Sequence, residues 1–464
     1  MRIHLIGVCG TAMATLAALL KQQGHVVSGS DQHVYPPMSD FLVREGIALL
    51  EGYRPEHVSG ALDLVVVGNA ISRGNAELEA VLDRRLRYCS LPEAVRDCFL
   101  WNRRPIVLAG THGKTTTTAL TAWLLADAGA DPTVLVGGIA RNLGPEGASY
   151  RMGQSDLFVI EGDEYDSAYF DKTAKFLKYL PHVAVVGNIE FDHADIYADL
   201  DEVRLAFRRL VTLVPRTGLT LLGADSAEAC ALRPRALSPV ETFGLSAEAD
   251  WRAVDLEQAE GMTSFTLVHQ GVEQGRCQLP MVGTHNVRNA LAAMAASARV
   301  GVTIAQMQQS LPKFLGVRRR LEEVGQRRGI AVYDDFAHHP TAVDETLRAV
   351  RAAWPSRRLW AIFEPRSASS CRRVFQADFA RAFAAADQVV IASVFRSSLP
   401  DAERLSEADL VRDLHEAGVS ARHLPDVPAI VDVVARDARP GDIIVVMSNG
   451  GFGGIHGRLL QALE

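Results

Sequence analysis

The chain has 464 residues, of which 48% are hydrophobic and 22% are charged, so it is long enough for several globular domains. This composition is that of an ordinary globular protein and excludes a disordered or collagen-like chain. Its 48 Lys and Arg against 55 Asp and Glu give a net charge of −7, which predicts no nucleic-acid partner. No apolar stretch reaches the length of a bilayer span, and six scattered cysteines without a CxxC pair predict a reducing, cytoplasmic location. None of these quantities fixes the oligomeric state.

The N-terminal block predicts a βαβ arrangement. Its beginning is apolar enough to resemble a secretory leader, but Gly7 and Gly10 place a strand-to-helix turn inside that stretch. Asp31 ends the next apolar run, so the turn has the outline of a pyrophosphate site. Cys9 and Ala12 stand where a dinucleotide fingerprint has glycine, which leaves a nicotinamide site, a UDP-type site and a plain βαβ turn as open interpretations.

Apolar runs and helical patterns alternate along the whole chain, which predicts an α/β protein with mostly parallel sheets. A polar break at 101–105 and a basic triplet at 318–320 predict three domains, at 1–102, 103–314 and 315–464. The predicted strands lie at 3–6, 26–27, 62–67, 106–109, 157–160, 183–186, 219–222, 330–333, 359–363, 389–392 and 443–447, with an alanine-rich helix at about 286–300.

The segment AGTHGKTTT, residues 109–117, lies between a predicted buried strand and a helix and predicts a phosphate-binding loop. Gly110 and Gly113 allow the backbone amides to curl around phosphate oxygens, Lys114 reaches the outer phosphates, and the Thr115 hydroxyl suits Mg²⁺. Leu108 occupies the position of the first glycine of a standard P-loop, so the loop is a shortened variant. The alternative is a glycine turn before a helix that happens to contain Lys-Thr.

Two acidic clusters follow predicted strands and are candidates for metal ligands. EGDEYD, which begins at Glu161, follows the strand at 157–160, and NIEFDH, which ends at His193, follows the strand at 183–186. Open parallel sheets place their ligands at the carboxyl ends of strands, and Mg²⁺ must link phosphates to anchored oxygens. Glu161 also fits an acidic loop at a strand end, and His193 also fits a capping or core histidine.

A set of ordered motifs carries a family resemblance over essentially the whole chain. GTHGKTTTT, EGDEYD, NIEFDHADIY, GTHNVRNALAA, RRRLE and VYDDFAHHPTAV resemble the ATP-dependent Mur ligases of bacterial peptidoglycan synthesis. GVCGTAM, SGSDQHVYPPMS, GNAISRGN, FEPRS and MSNGGFGGIH look most like the recycling member, which joins UDP-N-acetylmuramate to the tripeptide L-alanyl-γ-D-glutamyl-meso-diaminopimelate. The resemblance implies a Rossmann-like UDP-binding domain, a central P-loop ATPase domain and a Rossmann-like C-terminal domain for the amino substrate.

The resemblance also implies roles for individual residues. The UDP-sugar side would be formed by Gly7, Gly10, Asp31 and Asn69. ATP would be bound by Gly110, Thr111, His112, Gly113, Lys114, Thr115, Thr116, Asn286, Asn289, Arg320 and Asp335. Thr115 and Glu161 would bind one Mg²⁺ and His193 a second. The amine substrate would face His338, His339 and Arg366, and the catalytic residues would be Lys114, His193, His338 and His339. Asn286 and Asn289 stand three apart, hence on one helix face, but they also fit ordinary polar residues at a helix start. His338, His339 and Arg366 also fit an exposed loop.

The chain departs from the family pattern at two places. Several relatives carry a carbamylated lysine about fifteen residues after the metal-binding histidine, where this chain has Arg208, and the Asn-Pro-Arg signature of the diaminopimelate-adding synthetase is absent from the sequence. The resemblance implies amide formation through an acyl phosphate. The alternatives are the ligase that adds free L-alanine to the same sugar and, from other classes, an NAD-dependent oxidoreductase or an NTP-driven switch.

Overall fold

A computed structural model describes residues 1–34, 38–259, 261–395 and 399–464. Residues 35–37, the YPP of the SGSDQHVYPPMS motif, therefore lie outside the described residues. The chain forms two compact units. The first unit comprises Met1–Glu190, Leu200–Arg252 and Leu291–Ser310, and the second comprises Phe191–Asp199, Ala253–Ala290 and Leu311–Glu464.

The first unit begins with a parallel five-stranded sheet, the N-terminal sheet, in the order β3-β2-β1-β4-β5. The apolar beginning of the chain is β1 followed by α1, whose residues 13–20 are all buried, so the predicted βαβ unit is confirmed. The elements are β1 (Arg2–Ile6), α1 (Thr11–Gln22), β2 (Val26–Asp31), α2 (Met38–Arg44), β3 (Ala48–Glu51), β4 (Leu64–Val67), α3 (Ala76–Asp83), β5 (Tyr88–Ser90) and α4 (Leu91–Val95).

A buried carboxylate, Glu77, joins several parts of this sheet. Glu77 is fully buried and accepts hydrogen bonds from the Ser30 hydroxyl, from His57 Nδ1 at 2.5 Å and from the Arg54 amide at 3.2 Å. His4 Nε2 lies 3.4 Å from the same carboxylate. Burial by itself would raise the pKa of Glu77, but these hydrogen bonds outweigh it and hold the pKa below its ordinary value.

The first unit continues with a second sheet, the central sheet, in the order β14-β13-β12-β6-β9-β7-β8. Its pairs are parallel except β7 with β8, and a separate antiparallel hairpin is formed by β10 and β11. The elements are β6 (Arg104–Ala109), α5 (Lys114–Asp127), β7 (Thr133–Ala140), β8 (Ala148–Arg151), β9 (Leu157–Gly162), β10 (Asp166–Ala168), β11 (Asp171–Ala174), β12 (Val183–Val186), α6 (Leu200–Thr212), β13 (Leu219–Gly223), α7 (Ala227–Cys230) and β14 (Val240–Gly244).

The next elements are divided between the two units, because residues 253–290 belong to the second unit and residues 291–310 to the first. The first two residues of β15 pair with β14, and β16 and β17 form an antiparallel hairpin in the second unit. The elements are β15 (Trp251–Ala259), β16 (Met262–His269), β17 (Val272–Leu279), α8 (Thr284–Arg299) and α9 (Ile304–Ser310).

The second unit contains a six-stranded sheet, the C-terminal sheet, in the order β18-β19-β23-β20-β21-β22, with only β18 antiparallel to its neighbour. Along β20, alternate residues enter two different cores, because successive side chains of a strand point to opposite faces: Phe363 packs on one face and Trp360 on the other. The elements are β18 (Glu322–Arg327), β19 (Ile330–Asp335), α10 (Pro340–Ala353), β20 (Leu359–Phe363), α11 (Gln376–Ala382), β21 (Gln388–Ala392), α12 (Glu407–Glu416), β22 (Ser420–Leu424), α13 (Val427–Asp437), β23 (Ile443–Met447) and α14 (Ile455–Ala462).

The structure confirms the predicted α/β class, and three predicted strands, β12, β20 and β23, have the predicted bounds. The predicted strand at 62–67 begins later, at Leu64, and the helix predicted at 286–300 is α8. All six cysteines lie in the described ranges, and no disulfide joins them. Among the residues that the structure describes, no helix is both long enough and apolar enough to cross a membrane.

Candidate functional site

The predicted phosphate loop connects β6 to α5. Gly110 has φ 136° and Gly113 has φ 80°, a region that favours glycine, and a Cβ on Gly110 would lie 3.1 Å from the backbone nitrogen of Asn188. Because α5 begins at Lys114, the first amides of the helix, which have no acceptor within it, are directed at the loop. The loop therefore has the backbone of an anion-binding turn at a helix N-terminus.

Residues after β12 hold this loop in place. The Thr111 amide donates to the Asn188 carbonyl at 3.0 Å, and the His112 amide donates to Asn188 Oδ1 at 2.8 Å. The Glu190 amide donates to the Thr111 hydroxyl at 2.8 Å, and Glu190 Oε2 lies 3.3 Å from His112 Nε2. Sequence reasoning gave Asn188 no role; its position directly after a buried strand that neighbours β6 was the available signal.

Lys114 is paired with Glu164, a residue that was also not assigned from the sequence. Lys114 Nζ lies 2.9 Å from Glu164 Oε1 and 2.8 Å from Oε2, and it donates to the Thr111 carbonyl at 3.2 Å. Glu164 is only 1% exposed. Burial by itself would lower the pKa of Lys114, but Glu164, Asp163 and Glu161 outweigh it and raise the pKa above its ordinary value, so the ammonium group stays charged.

The two predicted metal ligands of the first unit lie together. The Thr115 hydroxyl donates to Glu161 Oε1 at 3.1 Å, and the Gly137 amide donates to Glu161 Oε2 at 2.7 Å. Thr116, the next predicted ATP-binding residue, is 4% exposed in the first turn of α5. A hydroxyl and a carboxylate at the end of neighbouring elements are hard oxygen donors, the type that Mg²⁺ prefers.

The predicted sugar-binding residues lie at the carboxyl edge of the N-terminal sheet. Gly7 has φ 84°, its amide donates to the Ser30 carbonyl at 2.9 Å, and Gly10 directly precedes α1. Asp31 Oδ2 accepts the Cys9 amide at 2.8 Å. Asn69, which follows β4, donates through Nδ2 to Asp166 Oδ1 at 3.0 Å, so Asp166 is a further partner that the sequence did not predict.

His193 belongs to the second unit, where the side chains of Asp192 and Ser369 fix its backbone. Its φ of 54° is left-handed, a conformation that costs a non-glycine residue about 1–2 kcal/mol. The His193 amide donates to Asp192 Oδ1 at 2.7 Å and to the Ser369 hydroxyl at 3.1 Å, and Ser369 donates to Asp192 at 2.5 Å. Burial by itself would raise the pKa of Asp192, but nearby His193, His338 and His339 and the Ser369 hydroxyl hold the pKa well below its ordinary range.

The two adjacent histidines of the second unit have different surroundings. His339 is 5% exposed and precedes α10: its Nδ1 accepts the Thr341 amide at 3.4 Å, and its Nε2 lies 3.2 Å from the Phe191 carbonyl. His338 is less buried, and its Nδ1 lies 2.9 Å from the Phe336 carbonyl. The contacts of His339 are those of a helix-capping residue.

The predicted nucleotide-side residues of the second unit form two groups. Asn289 Nδ2 donates to Asn286 Oδ1 at 3.2 Å, which confirms that the two share a helix face. The Arg320 guanidinium lies 5.0 Å from the centre of the Phe336 ring. Asp335 accepts two backbone amides at 2.7 Å, yet burial dominates and raises its pKa above the ordinary value.

Arg366 follows β20 and is held between an aromatic ring and a backbone. Its guanidinium lies 3.6 Å from the centre of the Phe395 ring and 3.6 Å from Glu364, measured between Nη1 and Oε1. A Cβ on Gly450 would lie 2.2 Å from Arg366 Nε, so only glycine at 450 leaves room for this side chain. The Ser448 hydroxyl donates to Glu364 at 2.5 Å.

Comparison with known proteins covers almost the entire chain. Residues 2–99 match "Mur ligase family, catalytic domain", residues 108–297 match "Mur ligase middle domain", and residues 319–450 match "Mur ligase, glutamate ligase domain". The chain therefore belongs to the Mur ligase family, whose three-domain α/β fold it has. It is an ATP-dependent ligase of the peptidoglycan type, as the resemblance implied.

Individual relatives show which members of the family this chain resembles. The chain is 41% identical to the UDP-N-acetylmuramate–L-alanyl-γ-D-glutamyl-meso-2,6-diaminoheptandioate ligase of Escherichia coli (strain K12), over 100% of this chain and 98% of that protein. It is 33% identical to a UDP-N-acetylmuramate–L-alanine ligase of Desulforapulum autotrophicum, over 99% and 98% of the two chains. The crystal structure of a murein peptide ligase from Psychrobacter arcticus 273-4 is 37% identical, covers 100% of this chain and 98% of its own, and superposes with a TM-score of 0.73.

Proposed function

We propose that this chain joins UDP-N-acetylmuramate to the tripeptide L-alanyl-γ-D-glutamyl-meso-diaminopimelate with consumption of ATP. The observation that carries the proposal is the 41% identity, over the full length of both chains, to a ligase named for these substrates. The alanine-adding relative is less similar, at 33%. Because the proposed reaction consumes ATP and a UDP-linked sugar, we also propose a cytoplasmic location.

We assign one substrate to each predicted domain. Residues 1–102 would bind the UDP-sugar through Gly7, Gly10, Asp31 and Asn69. Residues 103–314 would bind ATP through the phosphate loop, with Asn286 and Asn289, and residues 315–464 would bind the peptide and supply Arg320 and Asp335 to the nucleotide. The glycine conformations at the phosphate loop and the Lys114 position support the ATP assignment.

The chemistry requires an activated carboxylate, because a carboxylate oxygen is a poor leaving group in water until it carries phosphate. The lactyl carboxylate of the sugar attacks the γ-phosphorus of ATP, ADP leaves, and the alanyl amine then displaces phosphate from the acyl carbon and loses a proton. Lys114 neutralises charge on the phosphoryl oxygens, and the protein otherwise positions substrates and excludes water.

Mg²⁺ fits the oxygen donors of the first unit, since the Thr115 hydroxyl and Glu161 carboxylate lie 3.1 Å apart and the Gly137 amide fixes the second carboxylate oxygen. When bound there, it would neutralise charge on the phosphates. We retain His193 as the ligand of a second Mg²⁺. Arg208 is exposed on α6 and cannot form a carbamate, so no modified lysine enters the proposal at that position.

Among the histidines, we propose His193, His338 and His339 as the candidates that accept the ammonium proton. Both ring nitrogens of His339 already face backbone partners, at the Thr341 amide and the Phe191 carbonyl. His338 has its Nδ1 beside the Phe336 carbonyl, at 2.9 Å.

The test is a paired-acceptor assay. The protein is incubated with ATP, Mg²⁺ and UDP-N-acetylmuramate and either the tripeptide or L-alanine, and the product mass is measured. The proposal expects the tripeptide adduct as the dominant product. A dominant alanine adduct would establish the alanine ligase instead, and ATP hydrolysis independent of both acceptors would favour a nucleotide-driven switch.

A further inference from the structure

A hairpin of the first unit, residues 166–174, lies against the N-terminal sheet; we call it the docking hairpin. Tyr169 at its tip is partly buried against the core that contains Ile6, Val65 and Val67. The adjacent Phe170 ring meets the Tyr88 ring edge to face, with ring centres 5.2 Å apart. The apolar tip therefore fixes the hairpin to the sheet whose edge carries the predicted sugar-binding residues.

A polar contact joins the first strand of the hairpin to the same sheet. Asp166 is 5% exposed, and its Oδ1 accepts Nδ2 of Asn69 at 3.0 Å. Its Oδ2 accepts Lys172 Nζ at 2.5 Å, and the lysine side chain is 67% exposed. The two carboxylate oxygens of Asp166 thus have separate partners: Asn69 belongs to the N-terminal sheet region, and Lys172 belongs to the hairpin itself.

The base of the hairpin is fastened to the acidic segment of the phosphate site. The Lys175 amide donates to the Tyr165 carbonyl at 3.0 Å, and the Phe176 amide donates to the Asp163 carbonyl at 3.3 Å. Phe176 is fully buried and packs on Phe207, with ring centres 5.2 Å apart. These contacts link the segment that carries Glu161 and Glu164 to the hairpin.

We infer that Asp166 is a positioning residue that fixes Asn69, and with it the sugar-binding edge, relative to the phosphate loop. This inference rests on the proposed function, in which a sugar carboxylate must reach the γ-phosphorus. Such reactions need the two atoms at about 3–3.5 Å, and a misplacement of about 1 Å costs on the order of 100-fold in rate. The part-buried hydrogen bond between Asp166 and Asn69 joins the side of the UDP-sugar to the side of the phosphate loop.

The test compares variants at position 166 with a matched control at position 172. Asp166→Ala is expected to lower kcat about 10–100-fold through misalignment, with little change in the Kd of Mg·ATP measured without sugar. Asp166→Asn keeps an acceptor at Oδ1 and is expected to restore most of the activity. Lys172→Ala removes an ammonium group that is 67% exposed and leaves the hydrogen bond between Asp166 and Asn69 in place, so turnover is expected to stay within about 2-fold of wild type.

Each result decides the inference when the unfolding temperature of the variant is unchanged. Wild-type kcat in Asp166→Ala would overturn it, and so would an equal loss in Asp166→Asn. If Asp166→Ala does not fold, Asp166→Glu serves, because it keeps the charge but moves the acceptor by one methylene; wild-type turnover there would overturn the inference. The proposed function has its own test: it is wrong if the wild-type protein makes no tripeptide adduct. The two failures can be distinguished, because the ratio of variant to wild-type kcat can be measured with whichever acceptor reacts.

Discussion

Lys114→Met tests two properties of the phosphate site with one substitution. The variant removes an ammonium group that lies 2.9 and 2.8 Å from the two carboxylate oxygens of Glu164, a residue with 1% exposure. Breaking a buried ion pair by removing one partner costs about 3–5 kcal/mol, because the remaining charge keeps its desolvation penalty without its counter-charge. We therefore expect Lys114→Met to lose both ligation and thermal stability.

The double variant Lys114→Met/Glu164→Gln separates the two losses. Removing both charges eliminates the uncompensated carboxylate, so most of the stability returns, whereas ligation stays absent because no ammonium group faces the phosphates. Thermal unfolding and product mass are measured on the same samples. A wild-type unfolding temperature in Lys114→Met refutes the buried ion pair, and ligation by the double variant refutes the assignment of the phosphate loop.

Three further predictions address the metal, the peptide and a buried carboxylate. Glu161→Gln is expected to raise the Mg²⁺ concentration for half-maximal ligation about 10–100-fold, and an unchanged Mg²⁺ titration would remove Glu161 from the metal site. Arg366→Ala is expected to raise the KM of the tripeptide while leaving the KM of ATP unchanged. A tripeptide KM equal to that of the wild-type protein would contradict the proposed role of Arg366 in substrate binding. Glu77→Gln is expected to cost about 1–3 kcal/mol at pH 7. Because the folded-state pKa of Glu77 is depressed, this wild-type advantage is present above the ordinary pKa and disappears as pH falls through the folded-state pKa; a urea-unfolding difference that stays constant between neutral and acid pH would contradict it.

The strands of the parallel sheets were predictable because their apolar runs are short and continuous. The strand β12, for example, is buried at all four residues, and its predicted bounds are the observed ones. The hairpin of β16 and β17 was not predicted, because polar residues interrupt both strands. The turn of this hairpin is recognisable in the sequence, because a polar residue followed by glycine, here Gln270-Gly271, is typical of a tight hairpin turn. In the structure both residues have positive φ.

The composition of the site was predictable, but its pairing was not. The sequence places three acidic residues within four positions, and nothing in their spacing says which side chain meets Lys114. The fold decides this, since β9 lies beside β6 and thus determines which carboxylates face the loop. For His339 the motif implies a role in catalysis. The structure shows in addition that His339 caps the N-terminus of α10, a contact that the sequence motif does not reveal.

The acidic segment distributes its charges among separate partners before any nucleotide binds. Glu161 accepts the Thr115 hydroxyl, Asp163 pairs with Lys175 at 2.6 Å, and Glu164 pairs with Lys114. A triphosphate that takes Lys114 as its partner must therefore compete with Glu164 and approach two further carboxylates. A divalent cation bound at Glu161 would reverse this local charge, because it would add two positive charges beside the carboxylates. On this reasoning, divalent metal and nucleotide bind to the phosphate loop with strong positive coupling, and ATP in the presence of a chelator binds much more weakly than Mg·ATP.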